Sequence, residues 1–293
     1  MVSTRSIARS DLPEVVAFIA QLQADPAHYI GYLDTDVDAL TEQLCHLEPL
    51  GLDGVIAATR AGRLVGVLAA DWDTDPARVW WHGPLVDDAE HSGTTADALY
   101  EHACTLLPAG GLEQELFIDA RNEHIGAFAR RHGFDRERSS AILTRQLDGL
   151  PPIREIDEVM IRPLADADRN AVAVLHQQLF AGAHRSGARL DEGDQRFVLV
   201  AMRGDEIMGY LAAERQEDGQ GYLDFLGVPS VARGRGIGER LIVEVCHHLR
   251  DAGSDRIHLT VREDNRGARR LYGRLGFEHE RIGVPWRRRR RIR

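Results

Sequence analysis

The 293-residue chain contains no lysine; all 36 of its basic residues are arginine. Arginine codons are GC-rich and lysine codons are not, so base composition alone accounts for the bias. The absence still excludes each chemistry that needs a lysine: a Walker phosphate loop, a Schiff base and the lysine of a kinase-type site. Cysteine is scarce. Cys45, Cys104 and Cys246 are odd in number and far apart, which suits neither a disulfide framework nor a paired zinc motif. No apolar run approaches the ~18 residues of a membrane span. The start, MVSTRSIARSDLPEV, lacks an apolar signal core, so export is not expected. The expectation is a reduced, cytoplasmic protein with no membrane partner.

Charge is distributed unevenly. Residues 1–150 carry 11 arginines against 24 acidic residues, a net of −13, while residues 151–293 carry 25 against 22, a net of +3. The acidic half argues against general nucleic-acid binding. The closing run RRRRRIR (Arg287–Arg293) is a local exception. It reads as a solvated basic end or a final edge strand, with a phosphate or nucleic-acid contact as the alternative. The histidines form no metal motif: His247 and His248 are adjacent and would point different ways on a helix.

The chain repeats itself at an offset of about 142–143 residues. RLVGVLAA (Arg63–Ala70) matches EIMGYLAA (Glu206–Ala213), Val86–Leu99 falls on Val228–Leu241, and Cys104 falls on Cys246. NEHIGAFARRHGF (Asn122–Phe134) matches NRGARRLYGRLGF (Asn265–Phe277). These are two copies of one domain, 1–147 and 159–293, joined by the proline-bearing linker 148–158.

The second copy alternates helical and strand patterns. RPLADADRNAVAVLHQQLF has helical apolar spacing, and RFVLVAM and EIMGYLAAE read as consecutive strands. GYLDFLGV is a strand ending at Pro229, and a helix from about Ile237 to Asp251 follows. RIHLTVR alternates as a half-buried strand. NRGARRLYGRL is a short helix capped by Asn265 and stopped by Gly276, and a final strand is expected. This order predicts an α/β layer on a mixed sheet.

Between strand and helix lies VPSVARGRGIGERL (Val228–Leu241). A helix N-terminus presents unpaired N–H groups and the positive end of its dipole, a ready anion site. Gly234, Gly236 and Gly238 allow close approach to a ligand, and Arg233 and Arg235 add guanidinium donors. The run therefore reads as a diphosphate cradle, or else as a glycine-rich turn with no ligand. It is not the Rossmann spacing G-x-G-x-x-G.

The pattern R-x-x-G-x-G after a strand ending GVP resembles the acetyl-CoA loop of the GNAT superfamily of acyl-CoA-dependent N-acyltransferases. NRGARRLYGRLGF resembles that family's N-x-x-A-x-x-L-Y-x-x-x-G-F. The two pieces stand in family order and the likeness covers nearly all of residues 159–293. The resemblance implies two tandem GNAT-like domains. Each would be a mixed, mostly antiparallel sheet with a splayed parallel pair, flanked by helices. It further implies that Leu226 and Val228 meet the pantetheine arm, that the stretch Arg233, Gly234, Arg235, Gly236, Ile237, Gly238 holds the pyrophosphate, and that Asn265 lies near the pantetheine.

Acyl transfer to an amine needs a neutral amine, a stabilised oxyanion and a protonated leaving thiolate. By the resemblance, Tyr272 is the general acid and the Val228 N–H an oxyanion donor; packing of the helix is the other reading of Tyr272. Asp224 lies four residues before Val228, and strand alternation puts it on the face of Leu226 and Val228. It reads as the base or a binder of a cationic substrate, or as a structural ion pair. Glu263 and Asp264 are weaker candidates with a capping or solvated role as the other reading. The segment Phe180–Gly193 lies where the family shapes its acceptor pocket. The acidic DTDVD (Asp34–Asp38) reads as a solvated face or as an attractor for a cationic amine.

In the first copy, His91, Thr94 and Ala96 replace Arg233, Gly236 and Gly238, Ser92 replaces Gly234, and Ala129 replaces Tyr272. That half is expected to be degenerate. The resulting expectation is an acetyl-CoA-dependent N-acetyltransferase for a primary amine of a small molecule, reacting by direct attack through a tetrahedral intermediate in the second domain. No metal takes part, and the protein is a monomer or a homodimer. Within the class, transfer like that of mycothiol synthase, another tandem member, stays open beside antibiotic, polyamine and protein acetylation. From another class, a non-catalytic CoA-binding regulator is the rival.

Overall fold

The computed structural model describes residues 2–75, 77–87, 91–108, 111–216 and 218–289. The chain divides into two compact units, one of Met1–Ser140 with Arg281–Arg293, the other of Ala141–Glu280. In the first repeat the elements run β1 (Ser3–Ser6), α1 (Leu12–Gln23), α2 (Val37–Cys45), β2 (Val55–Arg60), β3 (Arg63–Thr74), β4 (Ala77–Val86), α3 (Ser92–Cys104), β5 (Glu113–Asp119), α4 (Glu123–Arg131), β6 (Asp135–Arg136) and β7 (Ser140–Gln146). The second repeat follows with β8 (Met160–Pro163), α5 (Arg169–Leu179), β9 (Arg196–Arg203), β10 (Glu206–Arg215), β11 (Gly221–Gly227), α6 (Ile237–Asp251), β12 (Arg256–Arg262), α7 (Arg266–Arg274) and β13 (Glu278–Arg288).

The units do not follow the linear division at 147–159: β7 belongs to the second, and the chain's last strand to the first. In the first unit the strand order is β1-β2-β3-β4-β5-β13, with β6 also on β13. In the second it is β7-β12-β11-β10-β9-β8. Antiparallel pairing dominates, and the parallel pairs are β4–β5 and β11–β12.

The second sheet is covered on both faces. Strand alternation sends Leu211, Ala213, Leu223, Leu259 and Val261 toward α6 and α7. It sends Val198, Val200, Met202, Tyr210 and Ala212 toward α5. Helix α6 buries Leu241, Ile242, Val245 and Leu249, each contributing roughly 1.5–3 kcal/mol of transfer free energy. The described part of the arginine tail is a strand, but not at an edge. β5 and β6 both pair with β13 through Trp286 and Arg287. Arg287 meets Glu115 at 2.9 Å, and Arg288 donates to the Tyr100 hydroxyl at 2.9 Å. Arg290–Arg293 lie outside the described residues. No helix among the described residues is long and apolar enough to cross a membrane.

Candidate active site

The second unit opens its sheet beside α6. β11 and β12 pair only through Gly221–Leu223, while β11 continues along β10 to Gly227. The strand pair therefore splays from Asp224 onward. On β10 the register jumps there as well: Ala213 faces Leu223 and Ala212 faces Phe225. Asp224 is the extra residue of a β-bulge, which turns the following side chains over.

The βα turn leads from this splay into α6. A short 3-10 turn, Ser230–Ala232, precedes Arg233. Gly234 and Gly236 adopt φ of 77° and 82°, a region that a side chain would strain. Gly236 is the N-cap and no side chain caps the helix. The amides of Ile237, Gly238 and Glu239 thus face outward without an intrahelical partner. Ile237 is buried and anchors the turn. A Cβ on Gly238 would lie 3.6 Å from Leu226 and Leu271 and 3.7 Å from Val228, so a longer side chain there fills the space between turn, strand and α7. Arg235 is exposed, with no hydrogen-bond or ion-pair partner among the described residues. Arg233 instead donates Nε to the Val228 carbonyl at 3.0 Å and braces the turn.

Tyr272 is buried on α7, edge-on to Phe277 at 5.5 Å. Burial pushes its phenol well above the ordinary range, so the hydroxyl keeps its proton at neutral pH. Asn265 caps α7, its Oδ1 accepting from the Ala268 amide at 3.1 Å. Leu226 and Val228 pack against the α6-side core.

Asp224 lies on the other face, and here the expectation from alternation fails. The bulge places it with Phe225, whose ring belongs to the α5-side core, and not with Leu226 and Val228. Its side chain is only 1% exposed and pairs with Arg196, which also pairs with Glu214. His184 approaches from the other side, Nε2 lying 3.2 Å from Asp224 Oδ1. Burial alone would raise the carboxyl, but His184 and Arg196 hold it below its ordinary range. Asp224 is thus a fixed anion and a weak proton acceptor.

His184 lies in the segment expected to shape the acceptor pocket, but neither it nor Arg196 nor Glu214 is legible in the sequence as a partner of Asp224. They come from a loop and two strands, with no spacing that links them to Asp224. The loop is held from below. His176 of α5 contacts the Arg185 carbonyl through Nε2 at 3.1 Å and Tyr210 Oη through Nδ1 at 2.6 Å. The carbonyl can only accept, so Nε2 carries the hydrogen and Nδ1 accepts from the tyrosine.

The remaining candidates make local contacts. Asp264 pairs with its neighbour Arg262 at 3.0 Å, both exposed, and the Glu263 carbonyl accepts from Arg269. His247 bonds the Pro151 carbonyl at 3.0 Å and His248 packs on Phe197. No group of three metal-ligating side chains exists among the described residues.

The first unit keeps the splay but not the turn. β4 and β5 pair only from Arg78 to Trp80, and a cleft of about 260 Å³ lies beside them, lined by Val86, Ser92, Asn122, Phe128 and Arg131 among others. Helix α3 begins at Ser92, the place of Gly234. Helix therefore occupies the positions that form an open turn in the second unit.

The acetyltransferase (GNAT) family model matches residues 165–277. A mycothiol acetyltransferase from Geodermatophilus obscurus is 30% identical over 315 residues, covering 97% of this chain and 97% of its own. One from Actinosynnema mirum is 30% identical over 177 residues, 56% of this chain and 60% of its own, so that match spans under two thirds of the relative. Among solved structures, a GCN5-related N-acetyltransferase from Sphaerobacter thermophilus superposes with a TM-score of 0.73 at 20% identity, covering 98% of this chain and 95% of that one. A tandem GNAT protein from the clavulanic acid biosynthesis pathway gives 0.67 at 17% identity, with 98% of each chain covered. These two likenesses establish the shared fold. With the family model over residues 165–277, the full-length match to the Geodermatophilus protein shows that the chain belongs to the GNAT acetyltransferase family.

Proposed function

We propose that the second unit binds acetyl-CoA at the Arg233–Gly238 turn and transfers its acetyl group to a primary amine of a small molecule. The observation that carries this is the uncapped start of α6, entered through two left-handed glycines beside a splayed strand pair. Outward amides, the helix dipole and Arg235, unpaired among the described residues, together suit a diphosphate. Acetyl-CoA supplies the activated acyl group. Val228 offers a backbone N–H to the developing oxyanion, and Tyr272 donates a proton to the departing sulfur. The relatives' name makes a mycothiol-type acceptor the first to try. The first unit, lacking the glycine turn and the tyrosine, serves without turnover.

The test is thermal unfolding with and without acetyl-CoA. At about 100 times its dissociation constant the ligand adds roughly 2.7 kcal/mol, a shift of several degrees. The shift is expected to vanish in Gly238→Glu and to persist in Thr94→Glu, an exposed change in the first turn of α3, the matching stretch of the first unit. A wild-type protein that does not shift refutes the donor site.

A further inference from the structure

We propose that His184 is the proton acceptor for the incoming amine and that Asp224 is its positioning residue. The inference rests on the acetyl-transfer reading above and deepens it.

Three observations converge on this pair. Asp224 stands where β11 leaves β12, at the bulge that aims it away from the donor turn and toward α5 and the loop after it. Its Oδ1 is buried and has no hydrogen-bond partner among the described residues, and His184 Nε2 lies 3.2 Å from that atom, within ion-pair distance. The imidazole lies nearly parallel on Phe225, 22° from its plane at 5.1 Å between centroids, which fixes the ring's orientation.

The two groups differ in what they can do with a proton. Asp224, sealed at 1% exposure and tied to Arg196, has neither the basicity nor a path to water. His184 is 44% exposed, so it can take a proton at the site and pass it to solvent. A carboxylate only accepts, so in the proposed dyad the neutral ring carries its hydrogen on Nε2, the nitrogen 3.2 Å from Asp224. Nδ1 is then the free base. The charged and titratable groups around the ring are Asp224 on β11, Arg196 on β9, His176 on α5 and the adjacent Arg185. His176 is held below its ordinary range by burial, and its bond to the Arg185 carbonyl tethers the loop that carries His184.

The proton count closes. The ammonium form of the acceptor gives one proton to His184 Nδ1, which releases it to water. The amine nitrogen then bonds to the acetyl carbon, and the carbon–sulfur bond breaks as the intermediate collapses. The second nitrogen proton ends on the thiolate, with Tyr272 as donor to sulfur and the nitrogen proton restoring the phenol. The sum is ammonium plus acetyl-CoA giving acetamide, CoA thiol and one proton.

The test compares wild type with His184→Gln, using acetyl-CoA and de-acetylated mycothiol, then spermidine, glucosamine and benzylamine. Acetyl-CoA uptake is measured by calorimetry and kcat/KM from pH 6 to 10. Uptake is expected to be unchanged. At neutral pH kcat/KM should fall about 100-fold or more, with the deficit shrinking toward pH 10, where the amine is neutral unaided. Millimolar imidazole should restore part of the rate in His184→Ala. A merely structural histidine would produce neither the pH-dependent recovery nor the rescue. If both proteins take up acetyl-CoA and transfer equally fast, or if the deficit is the same at every pH, the dyad fails alone. If wild type takes up no acetyl-CoA, the donor reading fails and the dyad with it.

Discussion

The two repeats begin from one plan and diverge at two matched places. At the βα turn, Gly234 and Gly236 adopt left-handed backbone that other residues would strain to reach, and α6 starts only at Ile237. Ser92 and Thr94 impose no such break, and α3 starts at Ser92 itself. The amides that face outward in one unit are used up inside a helix in the other. In the strand before the turn, Asp224 of the second unit holds the position that His82 holds in the first. Each side chain is buried, but the chain manages the two polar groups differently. Asp224 stays charged and is given Arg196 and His184. His82 is kept neutral: burial drops it to about 4. A charged residue is worth its desolvation only where its charge is used, and the surroundings of Asp224 hold it ionised and aimed at a partner.

The harshest way to break this comparison is to strand the Asp224 charge. Removing one partner of a buried pair costs about 3–5 kcal/mol, so Arg196→Met should lower the stability of the second unit by that order. All four tryptophans, Trp72, Trp80, Trp81 and Trp286, belong to the first unit. Urea unfolding followed by far-UV circular dichroism should therefore show an early phase that tryptophan fluorescence does not.

The next effect is a pH dependence of the first unit. His82 titrates near 4 when folded and about 6.5 when unfolded. Between those values the unfolded chain holds a proton that the folded unit lacks, so stability falls as pH falls. Asp71 works in the opposite sense. Burial, with the Glu48 charge behind it, raises Asp71 to about 6, so the folded unit holds the extra proton and gains stability as pH falls from about 6 toward 4. The two slopes oppose each other over that range. Asp71→Asn should expose the histidine limb, a loss of about 3 kcal/mol from pH 6.5 to 4 at roughly 1.4 kcal/mol per unit. Tryptophan fluorescence in urea reads it, and a flat profile in that variant would overturn the account of His82.

The smallest effect sharpens the comparison. Asn122 and Asn265 cap α4 and α7 in the same way, each Oδ1 accepting an amide three residues on at 3.1 Å. Asn122→Ala and Asn265→Ala should each cost about 1 kcal/mol in its own unit. Only Asn265→Ala should also weaken acetyl-CoA binding in calorimetry. Equal affinities in the two variants would make Asn265 a cap and nothing more.

The sequence by itself determined the repeat, the helix from Ile237 to Asp251, the strand-turn-helix around Val228–Gly238 and the cap at Asn265. All are local: glycine conformation, capping and apolar periodicity act within a few residues, so they can be read along the chain. Tertiary structure alone decided three things. The last strand of each repeat completes the other compact unit, because a strand is held by whichever partner it hydrogen-bonds, and linear order does not name that partner. Asp224 changed faces because a single bulge residue inverts a period of two. Its partners Arg196 and His184 lie 28 and 40 positions earlier in the chain. They reach it because the fold closes that distance, and the burial of the Asp224 carboxylate makes the encounter matter.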